Sequence, residues 1–413
     1  MRDEIADVTI DRLGHRGDGV ATKDGREIYI PYALPGENVV AELAGGDRAR
    51  LVELKSKSAQ RVDPACDYFT RCGGCALQQL DLAALLEWKR ELVIEALRQR
   101  GIDQVVDACI DAHGVGRRRV TLHARHTPRG VEVGFMAARS HALIAIENCP
   151  VLAPSLTAAP AVAQDIAAAL APAKKPLDIQ ITATLGGLDV DARGQGKIDD
   201  ALRLRLSALG RKLDLARLSL HGDVVAEWRA PSLAMSKAIA TPPPGGFLQA
   251  TAAGEEALAR LVLDGVGKAK RVADLFSGCG PFALRLAEIA SVHAVEFDKA
   301  SLASLARAAR ATSGLKPIAT EARDLFRRPL LPHELDQFDA VVFDPPRAGA
   351  EAQAKALAAT RKVKTIVGVS CNAATFARDA RILIDGGWLL DRITPVDQFR
   401  YSAHVELVGV FRR

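Results

Sequence analysis

Apolar and polar positions follow two different rhythms along this chain, and the change of rhythm divides it. Near the start, short apolar runs alternate with polar residues and are bounded by Gly, Pro, Asp and Asn. They predict strands at Val8–Leu13, Gly19–Thr22, Glu27–Pro31, Asn38–Leu43 and Ala49–Leu54, with Asp24-Gly25 as a hairpin turn. Five short strands in so small a space predict an OB-like β-barrel over residues 1–60. Leu82, Leu85, Leu86, Leu92, Val93 and Leu97 then recur at helical spacing, and Gly101 stops the helix. Residues 102–240 mix both rhythms, with strands expected at 178–185, 188–192, 217–221 and 224–228 and a basic strand from Gly116-Arg-Arg-Arg119. Together with the preceding turn, 61–240 reads as a central α+β domain. Thr241-Pro-Pro-Pro-Gly-Gly246 is a natural hinge. From Phe247 onward, strands at 271–276, 292–297, 338–344 and 365–370 alternate with helices at 282–289, 299–311 and 373–384, and two strand-like runs, 388–394 and 404–411, close the chain. Alternation with short connections makes 241–413 an α/β domain with a doubly wound, Rossmann-like parallel sheet.

Composition narrows the class without naming a function. The 413 residues are 48% hydrophobic and 25% charged, which excludes a disordered chain or a disulfide-dense mini-protein. Lys and Arg number 55 against 50 acids, so no global polybasic field is expected, and any nucleic-acid contact must come from local strips such as Arg117–Arg119. The opening MRDEIADVTI has no apolar core of a signal peptide, and the alanine-rich stretch Val151–Ala173 is broken by Pro154, Pro160, Gln164, Asp165 and Pro172. A cytoplasmic protein with no membrane span is therefore expected. In that compartment seven cysteines speak for metal binding or chemistry rather than disulfides.

Chemistry-bearing residues gather at the predicted strand ends. Asp274-Leu-Phe-Ser-Gly278-Cys-Gly280 follows a strand and opens a helix, so glycines let the backbone approach a ligand. Glu296 ends the next strand, where an acid can accept hydrogen bonds from ribose hydroxyls. No full GxGxxG is present, and the compact Gly-x-Gly favours S-adenosylmethionine (SAM) over a dinucleotide. Asp324 could meet an adenine edge or simply cap a turn. Asp344-Pro-Pro-Arg347 lies at the carboxyl end of a central strand, its direction stiffened by the prolines. Cys371, between Ser370 and Asn372, precedes a helix whose N-terminus would lower its pKa and make it a nucleophile; the plainer alternative is a small buried hydrophobe. His404 and Glu406 alternate along the last predicted strand and so share a face, where Glu406 could act as a base. Cys66-x5-Cys72-Gly-Gly-Cys75 lets three thiolates converge, and spacing alone leaves zinc and an iron–sulfur cluster open, as it does the fourth ligand.

Taken with Asn148-Cys149-Pro150 and Phe247-Leu-Gln249, these motifs occur in one order, and the chain resembles the SAM-dependent RNA uracil-5-methyltransferases. It looks most like their iron–sulfur branch acting on 23S ribosomal RNA. The resemblance implies a TRAM-type RNA-binding barrel at 1–60, an iron–sulfur turn and central RNA-binding domain at 61–240, and a catalytic domain at 241–413. It implies Cys371 as nucleophile and Glu406 as base. Gln249, Phe276, Gly278, Glu296, Asp324 and Asp344 would line the SAM and uracil pocket. Cys66, Cys72, Cys75 and Cys149 would hold a 4Fe–4S cluster, leaving Cys109 and Cys279 as packing residues. A monomer acting on ribosomal RNA is expected.

Three positions depart from the family pattern: Thr251 and Ala373 where Asn and Pro are common, and Pro281 where Asn often follows the glycine loop. Of these, Thr251 and Pro281 could alter SAM contacts. Carbon 5 of uracil is a poor nucleophile until a thiolate adds at carbon 6, and a base must then remove the carbon 5 proton, so this chemistry needs one Cys and one carboxylate. Two other readings stand beside this one. One is transfer-RNA uracil methylation, whose branch typically lacks the barrel and the Cys turn. The other is a non-catalytic iron–sulfur RNA-binding assembly factor, against which Cys371 and Glu406 both speak.

Overall fold

The computed structural model describes residues 4–43, 45–170, 176–196 and 198–413. The first three residues of the expected barrel, and the end of the alanine-rich stretch at 171–173, lie outside them. Among the described residues no helix is long and apolar enough to cross a membrane.

The N-terminal segment folds as two three-stranded antiparallel sheets. One orders Glu4–Thr9, Asn38–Leu43 and Ala49–Ser56; the other orders Arg12–Leu13, Gly19–Lys23 and Arg26–Ile30. Both bury a shared core of Ile10, Ala21, Ile28, Ile30, Val39 and Ala41. The strand expected at Val8–Leu13 is split because the chain changes partner there. Ile10 N–H donates to the Glu37 carbonyl at 2.9 Å, whereas Asp11 N–H donates to that of Val20 at 2.8 Å.

A seven-stranded sheet follows, ordered Leu143–Ala145, Gly130–Met136, Arg119–Thr127, Leu177–Thr184, Gly187–Arg193, Leu215–Leu220 and Asp223–Glu227. Helix Ala159–Ala169, formed from the alanine-rich stretch, buries Val162, Ala163 and Ile166 in the sheet's core. The Cys turn is pinned to this sheet: Gly73 N–H donates to the Met136 carbonyl at 2.9 Å.

The C-terminal sheet has eight strands, ordered Ile318–Ala322, Ser291–Glu296, Arg271–Leu275, Ala340–Phe343, Thr365–Ser370, Glu406–Arg412, Leu389–Asp397 and Ile110–Asp111. The first five run parallel, and Glu406–Arg412 is inserted antiparallel beside Thr365–Ser370. Period-two alternation divides its side chains between two cores: Val272, Ala340 and Val342 face one, while Ala273, Leu275, Val341 and Phe343 face the other. The edge strand Ile110–Asp111 pairs with Val396–Asp397, and Val93 and Leu97 of helix Leu82–Arg98 enter the second core. Part of the chain before the central sheet is thus built into the C-terminal layer. The last strand begins at Glu406, so His404 is not on it: His404 lies in the preceding turn and Glu406 is buried on the strand. They share a mouth of one cavity rather than a strand face.

Candidate active site

Parallel strands bring their carboxyl ends to one edge of the sheet, and the expected site residues stand there. After Arg271–Leu275 the chain must turn sharply. Phe276 adopts φ +62°, an unusual value for a residue with a Cβ, and Gly278 and Gly280 adopt +53° and +93°. A Cβ on Gly280 would come within 2.4 Å of Leu305 Cδ1, whereas one on Gly278 would meet nothing within 4 Å. The loop is therefore packed on its helix side and open at Gly278. Glu296 fastens it: Oε2 accepts from Gly278 N–H at 3.0 Å, and Oε1 accepts from Phe297 and Asp298 N–H at 2.7 and 2.9 Å. Asp324 accepts from Phe326 N–H at 3.0 Å, so it caps its turn, and it also lines the cavity.

A single cavity of about 1040 Å³ takes in every expected site residue: Gln249, Phe276, Gly278, Glu296, Asp324, Asp344, Cys371 and Glu406, together with Cys66, Cys72, Cys75 and Cys149. Its volume is at the upper end of the range for small-molecule sites. Phe247, 68% exposed, lies on the lining with the Arg119 guanidinium 5.8 Å from its ring centre, and Arg117 stacks likewise over Phe399 at 5.6 Å. The expected basic strip is divided by the fold. Arg118 turns away and is buried in an ion pair with Glu255, leaving Arg117 and Arg119 on the cavity.

Cys371 follows strand Thr365–Ser370, and Asn372 caps the next helix by accepting from Ala374 N–H at 3.0 Å. The expectation of a lowered thiol pKa is corrected here. Burial, then Glu406 and Asp344, push Cys371 up to about 11, against a smaller opposing pull from Arg347. The helix end has committed its amide donors to Asn372, and two carboxylates outweigh one guanidinium. Burial also lifts Asp344 to about 7 and Glu406 to about 8, the latter with a further push from Asp344. Asp274, fully buried where its strand ends, is raised well above the carboxylate range by burial and then by Asp344.

Several residues to which the sequence assigned no role complete the site. Gln398, fully buried, donates from Nε2 to Gln249 Oε1 at 2.6 Å and to Glu406 Oε1 at 3.2 Å. Gln249 Nε2 in turn donates to Asp344 Oδ2 at 3.2 Å. Arg347 Nη2 donates to His404 Nε2 at 3.0 Å; burial and Arg347 lower His404 to about 4, which keeps it a neutral acceptor. Lys89, fully buried on helix Leu82–Arg98, donates to Asp397 Oδ1 at 2.6 Å and to the carbonyls of Phe399 and His404 at 3.0 and 2.8 Å. It uses all three ammonium protons to hold the turn that precedes Glu406. Gln398 carries no sequence signal, because the run before it already holds Asp391, Arg392 and Thr394. The Thr251 departure acquires a structural meaning. Its Oγ1 donates to the Ala112 carbonyl at 2.6 Å and accepts from Gly254 N–H at 2.8 Å, capping helix Ala252–Val266 away from the cavity lining.

The four thiols of the Cys turn and Cys149 feel one another. Burial and then like charge raise the thiol pKa values: Cys149 and Cys72 act on Cys75, which reaches about 11, and Cys66 and Cys72 act on Cys149. Among the described residues, no group of three or more His, Cys, Asp or Glu side chains is placed to hold a metal ion, so the arrangement of these four thiols does not itself show the expected cluster. Cys279 and Cys109 pack with the cores, as expected.

The family model for tRNA (uracil-5-)-methyltransferase matches residues 200–413, which include Gln249, Cys371 and Glu406. The chain belongs to the RNA uracil-5-methyltransferase family. This methyltransferase is 49% identical, over 98% of its own chain and 97% of the relative's, to an uncharacterized RNA methyltransferase of Brucella suis biovar 1. It is 34% identical, over 100% and 90%, to a 23S rRNA (uracil(1939)-C(5))-methyltransferase of Chromohalobacter salexigens. In fold it is similar to the Pyrococcus abyssi tRNA (uracil-54, C5)-methyltransferase, solved with S-adenosyl-L-homocysteine, at a TM-score of 0.75 and 22% identity over 98% and 99% of the two chains.

Proposed function

We propose that this methyltransferase methylates carbon 5 of a uridine in 23S ribosomal RNA through a covalent adduct between Cys371 and the base, acting as a cytoplasmic monomer. The observation that carries the reading is the gathering of Cys371, Glu406, Asp344 and Gln249 on one cavity with the Gly278–Glu296 loop. SAM, bound by that loop with Phe276 and Asp324, supplies an electrophilic methyl group. The target base must be flipped out to enter the cavity, and exposed Phe247, Arg119 and Arg117 offer stacking and charge at the RNA side. Asp344 accepts from the uracil N3–H, which cytosine lacks, and so favours uracil.

Cys371 gives its proton to water as its sulfur adds to carbon 6, and the ring's π electrons move toward carbon 5 and oxygen 4. Carbon 5 then attacks the sulfonium methyl, the methyl–sulfur bond breaks with its electron pair staying on sulfur, and S-adenosylhomocysteine is the leaving group; Glu406 takes the carbon 5 proton. The C–H electrons re-form the ring double bond and the C6–S bond breaks, which frees Cys371.

The barrel at 1–60 and the central region at 61–240 serve as RNA-binding parts, and 241–413 carries the chemistry. Cys66, Cys72, Cys75 and Cys149 hold a 4Fe–4S cluster in a structural role. What supports the cluster is the donor set: the four thiols line one cavity, and thiolates are the ligands of such clusters.

The 34% identity to a named 23S enzyme over the full chain supports ribosomal RNA; the fold likeness to a tRNA enzyme supports transfer RNA as the second reading. The test is mass-spectrometric mapping of 5-methyluridine in both RNAs from a deletion strain complemented with wild type or Cys371→Ala. One 23S uridine should lose its methyl group without the gene and stay unmethylated with Cys371→Ala. Methylation by Cys371→Ala would sink the covalent mechanism, and loss confined to tRNA would establish the second reading.

A further inference from the structure

The mechanism above uses Asp344 and Glu406 as separate groups, but the structure joins them through two buried amides. Glu406, Gln398, Gln249 and Asp344 form one chain of hydrogen bonds of 3.2, 2.6 and 3.2 Å. Gln398 is fully buried, and Gln249 and Glu406 are only 2% and 3% exposed, so none of these bonds is readily replaced by water.

The direction of the whole chain is set at one point. Gln398 Oε1 lies 3.4 Å from the backbone N–H of Thr251, which can only donate. The carboxamide oxygen must therefore face Thr251, and both protons of the amide nitrogen face the cavity side. One meets Gln249 Oε1 and the other Glu406 Oε1. Gln249, its oxygen taken, must then turn its own NH2 toward Asp344. One of its two protons goes to Asp344, and the second remains for a ligand oxygen. In the reversed orientation Gln398 would set its amide N–H against the Thr251 N–H and its oxygen against Glu406.

We infer that Gln398 is a positioning residue for both halves of the reaction: it fixes the donor face of Gln249 toward the uracil and holds Glu406 so that its second oxygen serves carbon 5. This rests on the uracil-methylation reading above. Gln398 touches no reacting atom in that reading; it acts through Gln249 on base recognition and through Glu406 on proton removal. Its bond to Glu406 also opposes the burial that raises that carboxyl, so it keeps the base closer to the pH at which it must be ionised.

The two roles separate in experiment. Gln398→Met keeps the volume and removes both donors. Its turnover should fall by roughly tenfold or more. The adduct should accumulate on denaturing gels because proton removal follows methyl transfer, and the alkaline rise of the rate should move to higher pH. Gln398→Glu keeps the shape but cannot donate. Gln249 must then turn its NH2 toward residue 398 and present oxygen to Asp344, so KM for RNA should rise as well as kcat fall. In a Glu406→Gln background, Gln398→Met should add little further adduct, because both changes act at one step.

Wild-type turnover and pH profile in Gln398→Met, without trapped RNA, would overturn the inference. So would loss of SAM binding and a lowered thermal midpoint in both variants with no adduct in either, since that assigns Gln398 to packing. If Glu406→Gln itself traps no RNA and still methylates, the underlying mechanism fails instead, and the two failures are told apart by that control.

Discussion

Five cysteines line one cavity, and its two ends treat them oppositely. At the catalytic end, Cys371 stands among polar side chains that already satisfy one another: Glu406, Gln398, Gln249 and Asp344 are hydrogen-bonded in series, and Arg347 is held by His404. Its thiol is raised by burial and neighbouring carboxylates, so it waits protonated at neutral pH. At the other end stand Cys66, Cys72, Cys75 and Cys149, and burial pushes Cys75 up as far as Cys371. Arg117 lies between the two regions. It stacks on Phe399 of the catalytic turn and is the cation that draws Cys75 and Cys149 down. Equal pKa displacement therefore does not mean equal role. A lone thiol beside a carboxylate and two amides is arranged for a reaction, whereas four thiols on one cavity are a donor set for a group bound between them.

The sharpest way to break this contrast is to exchange the outcomes. Cys371→Ser should lower methyl transfer by at least about 10^3-fold while leaving visible absorption and thermal stability unchanged. Cys149→Ser should instead bleach the broad absorption near the blue edge of the visible spectrum in anaerobically purified protein. It should also cost roughly 3 kcal/mol or more of stability. A colourless wild type carrying zinc on four thiolates would remove the cluster from the comparison, though not the contrast between reactive and structural thiols.

A smaller effect follows from the carboxylates that distinguish the catalytic end. Glu406 and Asp344 titrate in the folded protein near 8 and 7, above their ordinary ranges of roughly 4 to 4.5. The folded state therefore binds protons more tightly than the unfolded one. Their contribution to stability is complete below about pH 4 and is lost as pH rises through 7 and 8. Glu406→Gln should accordingly raise the thermal midpoint at pH 9, by roughly 1–3 kcal/mol of stability, and change little at pH 5. An equal effect at both pH values would mean that the carboxyl is not held protonated by its surroundings.

The sequence made the catalytic end legible because its residues sit at strand termini, where the rhythm of apolar positions stops and the next residues must face a ligand. Glu296 ends such a strand, Asp344 and Cys371 each follow one, and all three line the cavity. Helix Lys299–Ala311 was readable to the residue because Asp298 caps it, accepting from Ser301 N–H at 3.0 Å. What escaped was set by tertiary contact. Gln398 and Lys89 read as ordinary polar residues, and only packing shows that one donates to both Glu406 and Gln249 while the other reaches across 308 positions to Asp397. The thiol pKa of Cys371 was misjudged for the same reason: local sequence displayed the helix end but neither carboxylate. His404 was assigned to the strand that begins at Glu406, since alternation alone cannot say where pairing starts.

The smallest expected effect tests whether a departure from the family pattern belongs to either end of the cavity. Thr251 stands where Asn is common, and the sequence reading gave it to SAM binding. The structure uses its hydroxyl twice, as donor to the Ala112 carbonyl and as N-cap of helix Ala252–Val266, and buries it completely. An amide or a hydroxyl can perform the cap, so the exchange preserves a helix start rather than a ligand contact. Thr251→Ala should therefore cost about 1–2 kcal/mol of stability and leave the KM for SAM unchanged, and Thr251→Asn should recover most of the loss. The backbone N–H of Thr251 also orients Gln398, so a frayed cap should show next in trapped adduct, before any loss of SAM affinity. A Thr251→Ala variant of normal stability with a raised KM for SAM would return this residue to the cofactor.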